Sequence, residues 1–366
     1  MNTRYPVYQP CLSGNEKKYV LECLDSNWIS AKGAFVQKFE NAFGTYIGSR
    51  YALSMANGTA ALHASLLALG LGPGHEVIVP SLTYIASVNA IAYTGARPIL
   101  VDSLPGTWQM DPADVRRRIT NKTKALLVVH LYGHPCDMDR LTQIAGENGL
   151  SIVEDCSEAF GSQYNHKPVG NFGDLATFSF YGNKTITTGE GGMILTGRQE
   201  LVDRCRRLKD QGSTAGREYW HDLLGYNYRL TNIACAIGLA QLEQADLLID
   251  KKRTIAGWYK KRLEHLPLEF QGEAGNVRHS YWMCSLLAET GEVRDRLRAH
   301  LQKSGVETRP VFNPVDQMPL FRTRRPLPVA KDLADRGLCL PSYPQLEKDD
   351  IESIAGHLDS FFGSRR

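Results

Sequence analysis

YALSMANGTAALHASLLALGLGPGHEVIVPSLTYIASVNAIAYTGARPILV, residues 51–101, decides the fold. Tyr51 to Met55 reads as a short strand. Thr59 to Leu69 carries helical periodicity and stops at the Gly-Leu-Gly-Pro-Gly breaker of 70–74. Val77 to Val79 is a second strand. Ile85 to Tyr93 is a helix entered from Thr83, and Pro98 to Val101 is a third strand. Strand and helix alternate, and each helix is long enough to cross back over a sheet. That pattern predicts parallel strands covered by helices on both faces.

The alternation continues outward. Asp111-Pro112 is a helix N-cap and first helical residue, opening a helix to about Arg118. Ala125 to His130 is a continuous apolar run of the kind buried on both faces of a sheet. Asp137 to Asn148 is a helix with Gly149 past its end, and Ser151 to Glu154 is a strand. Leu175 to Phe180 and Gly192 to Thr196 read as strands joined by an irregular Gly-rich connection. One long helix is expected from Thr231 to about His265, leading out of the first unit. Beyond it, Ser280–Ala288, Thr308–Phe312 and Gly337–Leu340 are strand-like, with helices near Val293–Lys303 and Lys348–Phe362. The expectation is a large α/β unit over 1–250 and a smaller α+β unit over 251–366.

Composition narrows the class. The 366 residues are 43% apolar, 22% charged and 9% aromatic, which is a globular-enzyme balance rather than that of a disordered or fibrous chain. At roughly 150 residues per domain, the length suggests two. A net charge of +3, evenly spread, argues against a nucleic-acid or anionic-membrane surface. Val77 to Ala96 is twenty residues without a charge. Its Pro80, Asn89, Gly95 and hydroxyl residues fit a strand, turn and helix better than a membrane span. The eight cysteines come no closer than twelve residues, so zinc-ribbon spacing is missing and no metal site is expected. They read as reduced core residues of a cytoplasmic protein. Residues 1–19 have no apolar stretch of the secretory-signal kind.

Four features carry chemistry. Asn57-Gly58-Thr59-Ala60 joins a strand to a helix N-terminus, where free amides and the helix dipole favour an anion such as phosphate. Taken alone, it is also an ordinary helix cap. Val153-Glu154-Asp155 ends a strand, and ligands of open α/β sheets bind beyond such ends. An acid there can hold a cationic ring nitrogen, or can simply cap a turn. Ser179-Phe180-Tyr181-Gly182-Asn183-Lys184 places one lysine in an uncharged, Gly-rich loop. A lysine so placed can lose its charge and act as an amine nucleophile, although most lysines are simply solvated. Gly225-Tyr226-Asn227-Tyr228-Arg229 can bind a phosphate or carboxylate and stack on a ring.

Together these stretches resemble a known family. NGTAAL (57–62), EVIVPSLTYIAS (76–87), VHLYG (129–133), EDCSEAFGS (154–162), GDLATFSFYGNKTITTGEGGM (173–193), GYNYRLTNIACAIGLAQLE (225–243) and ETRPVF (307–312) look like the DegT/StrS group. These are the fold-type-I, pyridoxal-phosphate-dependent nucleotide-sugar aminotransferases. The likeness runs from about Pro10 to near the C-terminus. LSGNEKKYVLECLDSNWISAKGAFV (12–36), Glu158, CDMD (136–139) and REYWHDLLGYNYR (217–229) point to the members that aminate a GDP-linked 4-keto-6-deoxymannose.

The resemblance implies roles. Lys184 bonds covalently to pyridoxal phosphate and moves the proton. Asp155 pairs with the protonated ring nitrogen, which keeps the ring an electron sink. Gly58, Thr59 and Ser179 hold the cofactor phosphate, with Asn227 of a neighbouring subunit, and Tyr84 stacks on the ring. Trp28, Ser30, His130, Glu158, Tyr228, Arg229 and Arg309 are candidates for the substrate side. It also implies L-glutamate as amino donor, a homodimer with shared sites, and service to a surface polysaccharide or glycosylated natural product. Members that dehydrate the sugar carry a histidine where this chain has Lys184, so amino transfer is implied. Alternatives are the same reaction on a dTDP- or UDP-linked keto sugar or a keto-cyclitol, and a non-catalytic binding or regulatory protein on this fold. Contacts to the nucleotide base are expected on irregular loops, with Tyr219-Trp220-His221 and the Arg322–Arg325 cluster as candidates.

Overall fold

The computed structural model describes residues 3–323 and 325–363. Seven strands form the central sheet in the spatial order Tyr51–Met55, Gly192–Thr196, Leu175–Ser179, Ser151–Asp155, Thr123–Val129, Glu76–Pro80, Arg97–Val101. Gly192–Thr196 runs against its two neighbours, and the other pairings in the sheet are parallel. The reversal follows from its connection. An antiparallel neighbour needs no helical crossover, and residues 180–191 supply none. Glu76–Pro80 is buried throughout, as a strand covered on both faces must be.

Helices begin where their caps are. Asn57 opens Gly58–Ala68, accepting from Ala60 N at 2.8 Å. Asp111 caps Pro112–Arg118, and Asp137 caps Met138–Asn148, which ends at Gly149 with φ 61°. The alternation has one consequence for function. The parallel strands end at Met55, Pro80, Val129, Asp155 and Ser179 on one edge of the sheet, so the stretches at 57–60, 153–155 and 179–184 meet at that edge, whereas 225–229 lies between two helices.

The 231–265 stretch is two helices, Asn232–Leu242 and Ala245–Arg262, rather than one. No Gly or Pro marks the break. Tertiary contacts sit there instead: Glu243 accepts from Asn15 and Tyr19, and Gln244 from Ser13. The second of these helices runs through residue 250. The C-terminal strands are shorter than expected. Cys284–Leu287 keeps only part of 280–288, because Ser280 N bonds to Gly133 O and Tyr281 turns to φ 52°. Arg309–Pro310 keeps only part of 308–312, because Phe312 N leaves the sheet for the Tyr132 hydroxyl.

These strands join Glu269–Phe270 and Gly337–Leu340 in a four-stranded antiparallel sheet, backed by the helices Gly291–Lys303 and Lys348–Gly363. Leu286, Leu297, Leu338, Ile354 and Leu358 fill the space between. A second apolar cluster spans both sheets, from Val79 and Val129 to Trp282, Val311 and Cys339. The eight cysteines are free thiols, seven of them buried. Val77–Ala96 is a strand and the helix Ile85–Tyr93. No helix among the described residues is long and apolar enough to cross a membrane.

Candidate active site

A cavity of about 700 Å³ opens at the carboxyl edge of the large sheet. Loops after five strands reach it, and the small sheet closes its far wall with Arg309 and Cys339 and with the flanking Trp282, Met283 and Phe312.

Lys184 lies in a turn that its own N–H closes onto Tyr181 O at 2.8 Å. Its ammonium sits 4.0 Å from the centroid of the Trp282 ring. The Trp282 Nε1–H is fixed by donating to Asn183 O at 2.7 Å. Burial lowers the Lys184 pKa from its ordinary value, while the carboxylates of Glu158 and Asp155 oppose the shift. A lysine poised in this way can carry and release a proton.

Asp155 is buried at the end of its strand. One oxygen accepts from Ser87 Oγ at 2.8 Å and the other from Ser157 N at 3.1 Å. Glu158, one turn further on, accepts from Tyr132 N at 2.8 Å. Burial pushes its carboxyl up to about 7, against the pull of Lys184 and the Tyr132 amide.

Gly58 and Thr59 start an eleven-residue helix beside Ser179 and Ser157. Ala61 N donates to Asn57 O and Ala60 N to Asn57 Oδ1, so the amides of Gly58 and Thr59 ahead of them are left as an anion cradle. A Cβ on Gly58 would stand 2.9 Å from Ser179 Cβ and 3.4 Å from Ser157 Oγ. Only glycine lets the helix begin this close to two hydroxyls. One cavity therefore joins an anion cradle, a buried carboxylate and an enclosed amine. That donor set fits the phosphate, ring nitrogen and carbonyl of pyridoxal phosphate.

The aromatic wall was not legible in sequence. Tyr84 stands 5.6 Å from Phe312, Phe312 stacks on Tyr132 at 5.2 Å, and Tyr132 stacks on Trp282 at 5.9 Å. Tyr132 holds φ 57°, an uncommon conformation for a bulky residue, and thereby presents its amide to Glu158. His63, one turn into the Gly58–Ala68 helix, bonds the Tyr228 hydroxyl through Nδ1 at 3.1 Å. Its Nε2 is buried without a partner among the described residues. The only signal for His63 was its four-residue spacing from Thr59, which puts both on one helix face.

Of the residues expected at the site, Gly58, Thr59, Tyr84, Asp155, Glu158, Ser179, Lys184, Tyr228 and Arg309 line this cavity. His130 does not, which corrects its assignment to the substrate side. It is fully buried, with Nε2 3.2 Å from Glu154 Oε2 and Nδ1 accepting from Cys136 N at 3.0 Å, so no ring nitrogen is left for a ligand. Glu154 in turn accepts from the amides of Gly170, Phe172 and Gly173. His130, Glu154 and Cys156 come together as metal ligands could, but these bonds already engage the imidazole and the carboxylate.

Trp28, Ser30, Asn227 and Arg229 also lie off this chain's cavity. Trp28 O and Ser30 O accept from Asn232, which ties their loop to the 227–232 segment. Arg229 pairs with Asp210 at 3.0 Å, and exposed Asn227 accepts from Arg229 Nε at 3.2 Å. Tyr219-Trp220-His221 is an exposed strip off the cavity, with the Arg217 guanidinium 3.5 Å from the Trp220 ring centroid. Arg325 sits 3.5 Å from Asp114, and Arg324 lies outside the described residues.

The model of the DegT/DnrJ/EryC1/StrS aminotransferase family matches residues 10–359. The chain is 55% identical over 361 residues to the GDP-perosamine synthase of Escherichia coli O157:H7, covering 98% of this chain and 99% of that one. It is 44% identical over 362 residues to the GDP-perosamine synthase of Vibrio cholerae, again covering 98% and 99%. The crystal structure of the aminotransferase TlmJ from Streptoalloteichus hindustanus matches with a TM-score of 0.94 at 29% identity, covering 98% of this chain and 99% of that chain.

Proposed function

The chain belongs to the DegT/DnrJ/EryC1/StrS aminotransferase family, and from that premise we propose that it aminates C4 of GDP-4-keto-6-deoxy-D-mannose to give GDP-perosamine. It is a pyridoxal-phosphate-dependent sugar aminotransferase. The observation that carries the reading within the structure is the enclosed Lys184 amine, on one cavity with Asp155, Glu158 and the Gly58–Thr59 cradle. L-Glutamate is the donor in this reading and 2-oxoglutarate the co-product. A homodimer and a cytoplasmic location belong to the same proposal, as does the division of the chain into units 1–250 and 251–366.

When bound, pyridoxal phosphate supplies a carbonyl carbon that takes up amines and a ring that accepts electrons from the adjacent carbon. The rest is done by the chain. Gly58, Thr59 and Ser179 bind the phosphate, with Ser157 beside them. Asp155, oriented by Ser87, holds the ring nitrogen's proton, and Tyr84 covers the ring. Lys184 Nζ takes the proton from the donor's α-carbon in the first half-reaction and delivers one to the sugar C4 in the second. That work requires the neutral amine, which burial favours. Delivery from one side of the cavity fixes the configuration at C4. Glu158 exchanges protons with Lys184 or bonds a sugar hydroxyl, and the Trp282 face keeps water from the amine. Arg309 and Tyr228 meet the substrate. Asn227, Trp28, Ser30 and Arg229 are assigned to the second subunit's cavity. Support for that comes from the exposure of Trp28, Ser30 and Asn227 here and from Asn232, which joins the two segments.

The purified protein is given L-glutamate and, in parallel, GDP-, dTDP- and UDP-linked 4-keto-6-deoxyhexoses, and amino-sugar formation is followed by mass. Product from the GDP substrate alone is expected. Product from another nucleotide alone keeps the chemistry and overturns the substrate. A protein that takes up no pyridoxal phosphate would make this fold a binding or regulatory one.

A further inference from the structure

The segment Tyr5-Pro6-Val7-Tyr8 belongs to no motif of the reaction, yet it bonds both to Lys184 in the cavity and to Glu307, two residues from the cavity-lining Arg309. The Tyr8 hydroxyl donates to the main-chain carbonyl of Lys184. The Lys184 N–H is already held by Tyr181 O at 2.8 Å. The reactive lysine is thus pinned through both its backbone groups, and only its side chain remains to move. Burial raises the Tyr8 pKa far above the ordinary phenol value, so this hydroxyl keeps its proton and stays a donor.

The segment is anchored in the smaller sheet region. Tyr5 N donates to Gly305 O at 3.0 Å, and Glu307 N donates to Tyr5 O at 2.9 Å. Val7 N donates to Glu307 Oε2 at 3.0 Å, and Ser342 N to Val7 O at 3.2 Å. Lys252, fully buried, donates to Ser342 O at 2.5 Å and lies 5.3 Å from the Tyr8 ring centroid. The other carboxylate oxygen of Glu307 stands 3.9 Å from Nε of Arg309, which lines the cavity. Pro6 and Pro10 fix φ and favour extended backbone around them, so the segment is set for this path before it docks.

We propose that Tyr5–Tyr8 is a positioning strap of the active site, with Tyr8 the positioning residue for Lys184 and Glu307 the relay to Arg309. The strap ties the backbone of the proton-moving amine to the sheet that carries the substrate-side arginine. The inference rests on the aminotransferase reading for its kinetic consequence but not for its structural one. Misplacing a reacting group by about 1 Å can cost on the order of a hundredfold in rate.

The test is Tyr8→Phe, which removes one hydroxyl and keeps the ring. In the cofactor-free protein, hydrogen–deuterium exchange over 181–187 is expected to speed up roughly tenfold, as for loss of one local hydrogen bond. In the loaded enzyme, kcat of the glutamate half-reaction is expected to fall about tenfold with KM unchanged, since only the transition-state geometry is disturbed. A folded Y8F with exchange and kcat within about twofold of wild type overturns the proposal, as does a variant in which only the melting temperature moves. Glu307→Gln keeps an acceptor for Val7 N but removes the charge beside Arg309. It should raise KM for the nucleotide sugar several-fold and leave the glutamate half-reaction alone; an unchanged KM overturns the Arg309 arm. If wild type aminates no keto sugar, the functional reading fails. The exchange measurement, made without cofactor or substrate, still decides the strap.

Discussion

Replacing Lys184 with alanine removes the only lysine that lines the cavity among the described residues and, with it, a cation held against burial. The expected outcome is loss of the cofactor's visible absorption band and a drop of more than about a thousandfold in amino-sugar formation. The melting temperature should hold, because burying an ammonium is unfavourable to begin with. Glu158 gives a prediction with a sign. Its carboxyl is raised in the folded protein from 4.5 to about 7. Between those values the folded state holds a proton that the unfolded chain has released. Its contribution to stability therefore declines as pH rises through that window and is level outside it, a span on the order of 3 kcal/mol at most. Glu158→Gln should consequently gain stability relative to wild type between pH 4.5 and 7, read by urea unfolding at several pH values. A pH-independent difference would show that the carboxyl titrates normally. Lys184 was legible as the one lysine of an uncharged loop after a strand, whereas Glu158 came only from the family resemblance. His130, likewise taken from the resemblance, does not line the cavity. A strand end fixes where a backbone goes, whereas its side chain turned inward to Glu154.

The elements that matter are the Gly58–Ala68 helix and the turn at Tyr132. The helix N-terminus was readable from Asn57-Gly58, since caps act over three residues. What could not be read was that Ser179 and Ser157 close on the same glycine. Gly58→Ala is expected to weaken cofactor affinity at least tenfold, or about 1.4 kcal/mol, measured by fluorescence titration. The cofactor-free melting temperature should move little, as alanine's better helix propensity offsets part of the crowding. At the turn, Tyr132→Phe leaves the Phe312 N–H without its acceptor. A loss of about 1 kcal/mol in unfolding free energy is expected, together with a higher KM for the nucleotide sugar.

For the whole molecule, the question is what stands opposite the cavity. If Asn227 serves the neighbouring subunit's site, K184A and N227A homodimers are each impaired by a different lesion. Mixed and reassorted, they should regain activity, because one site of each heterodimer then holds both wild-type residues. Absence of rescue, with heterodimers demonstrated by mass, would place Asn227 outside the shared site. The proposed strap belongs to this scale as well, since its Tyr8 bonds to a residue 176 positions away and its Val7 to one 300 positions away.

The alternation of strands and helices over residues 51–155, the helix start at Asn57-Gly58, the acid at a strand end and the isolated lysine were determined by the sequence alone. Periodicity, capping and turn chemistry act over a few residues and are written where they act. The tertiary structure decided what surrounds the lysine. Trp282 reaches Asn183 across 99 positions, and Tyr8 reaches Lys184 across 176. It also decided the break between Leu242 and Ala245, the early end of the strand at Pro310, and the direction of His130. Each is set by a partner far away in the chain, and local sequence carries no record of a contact that forms only when both partners have folded.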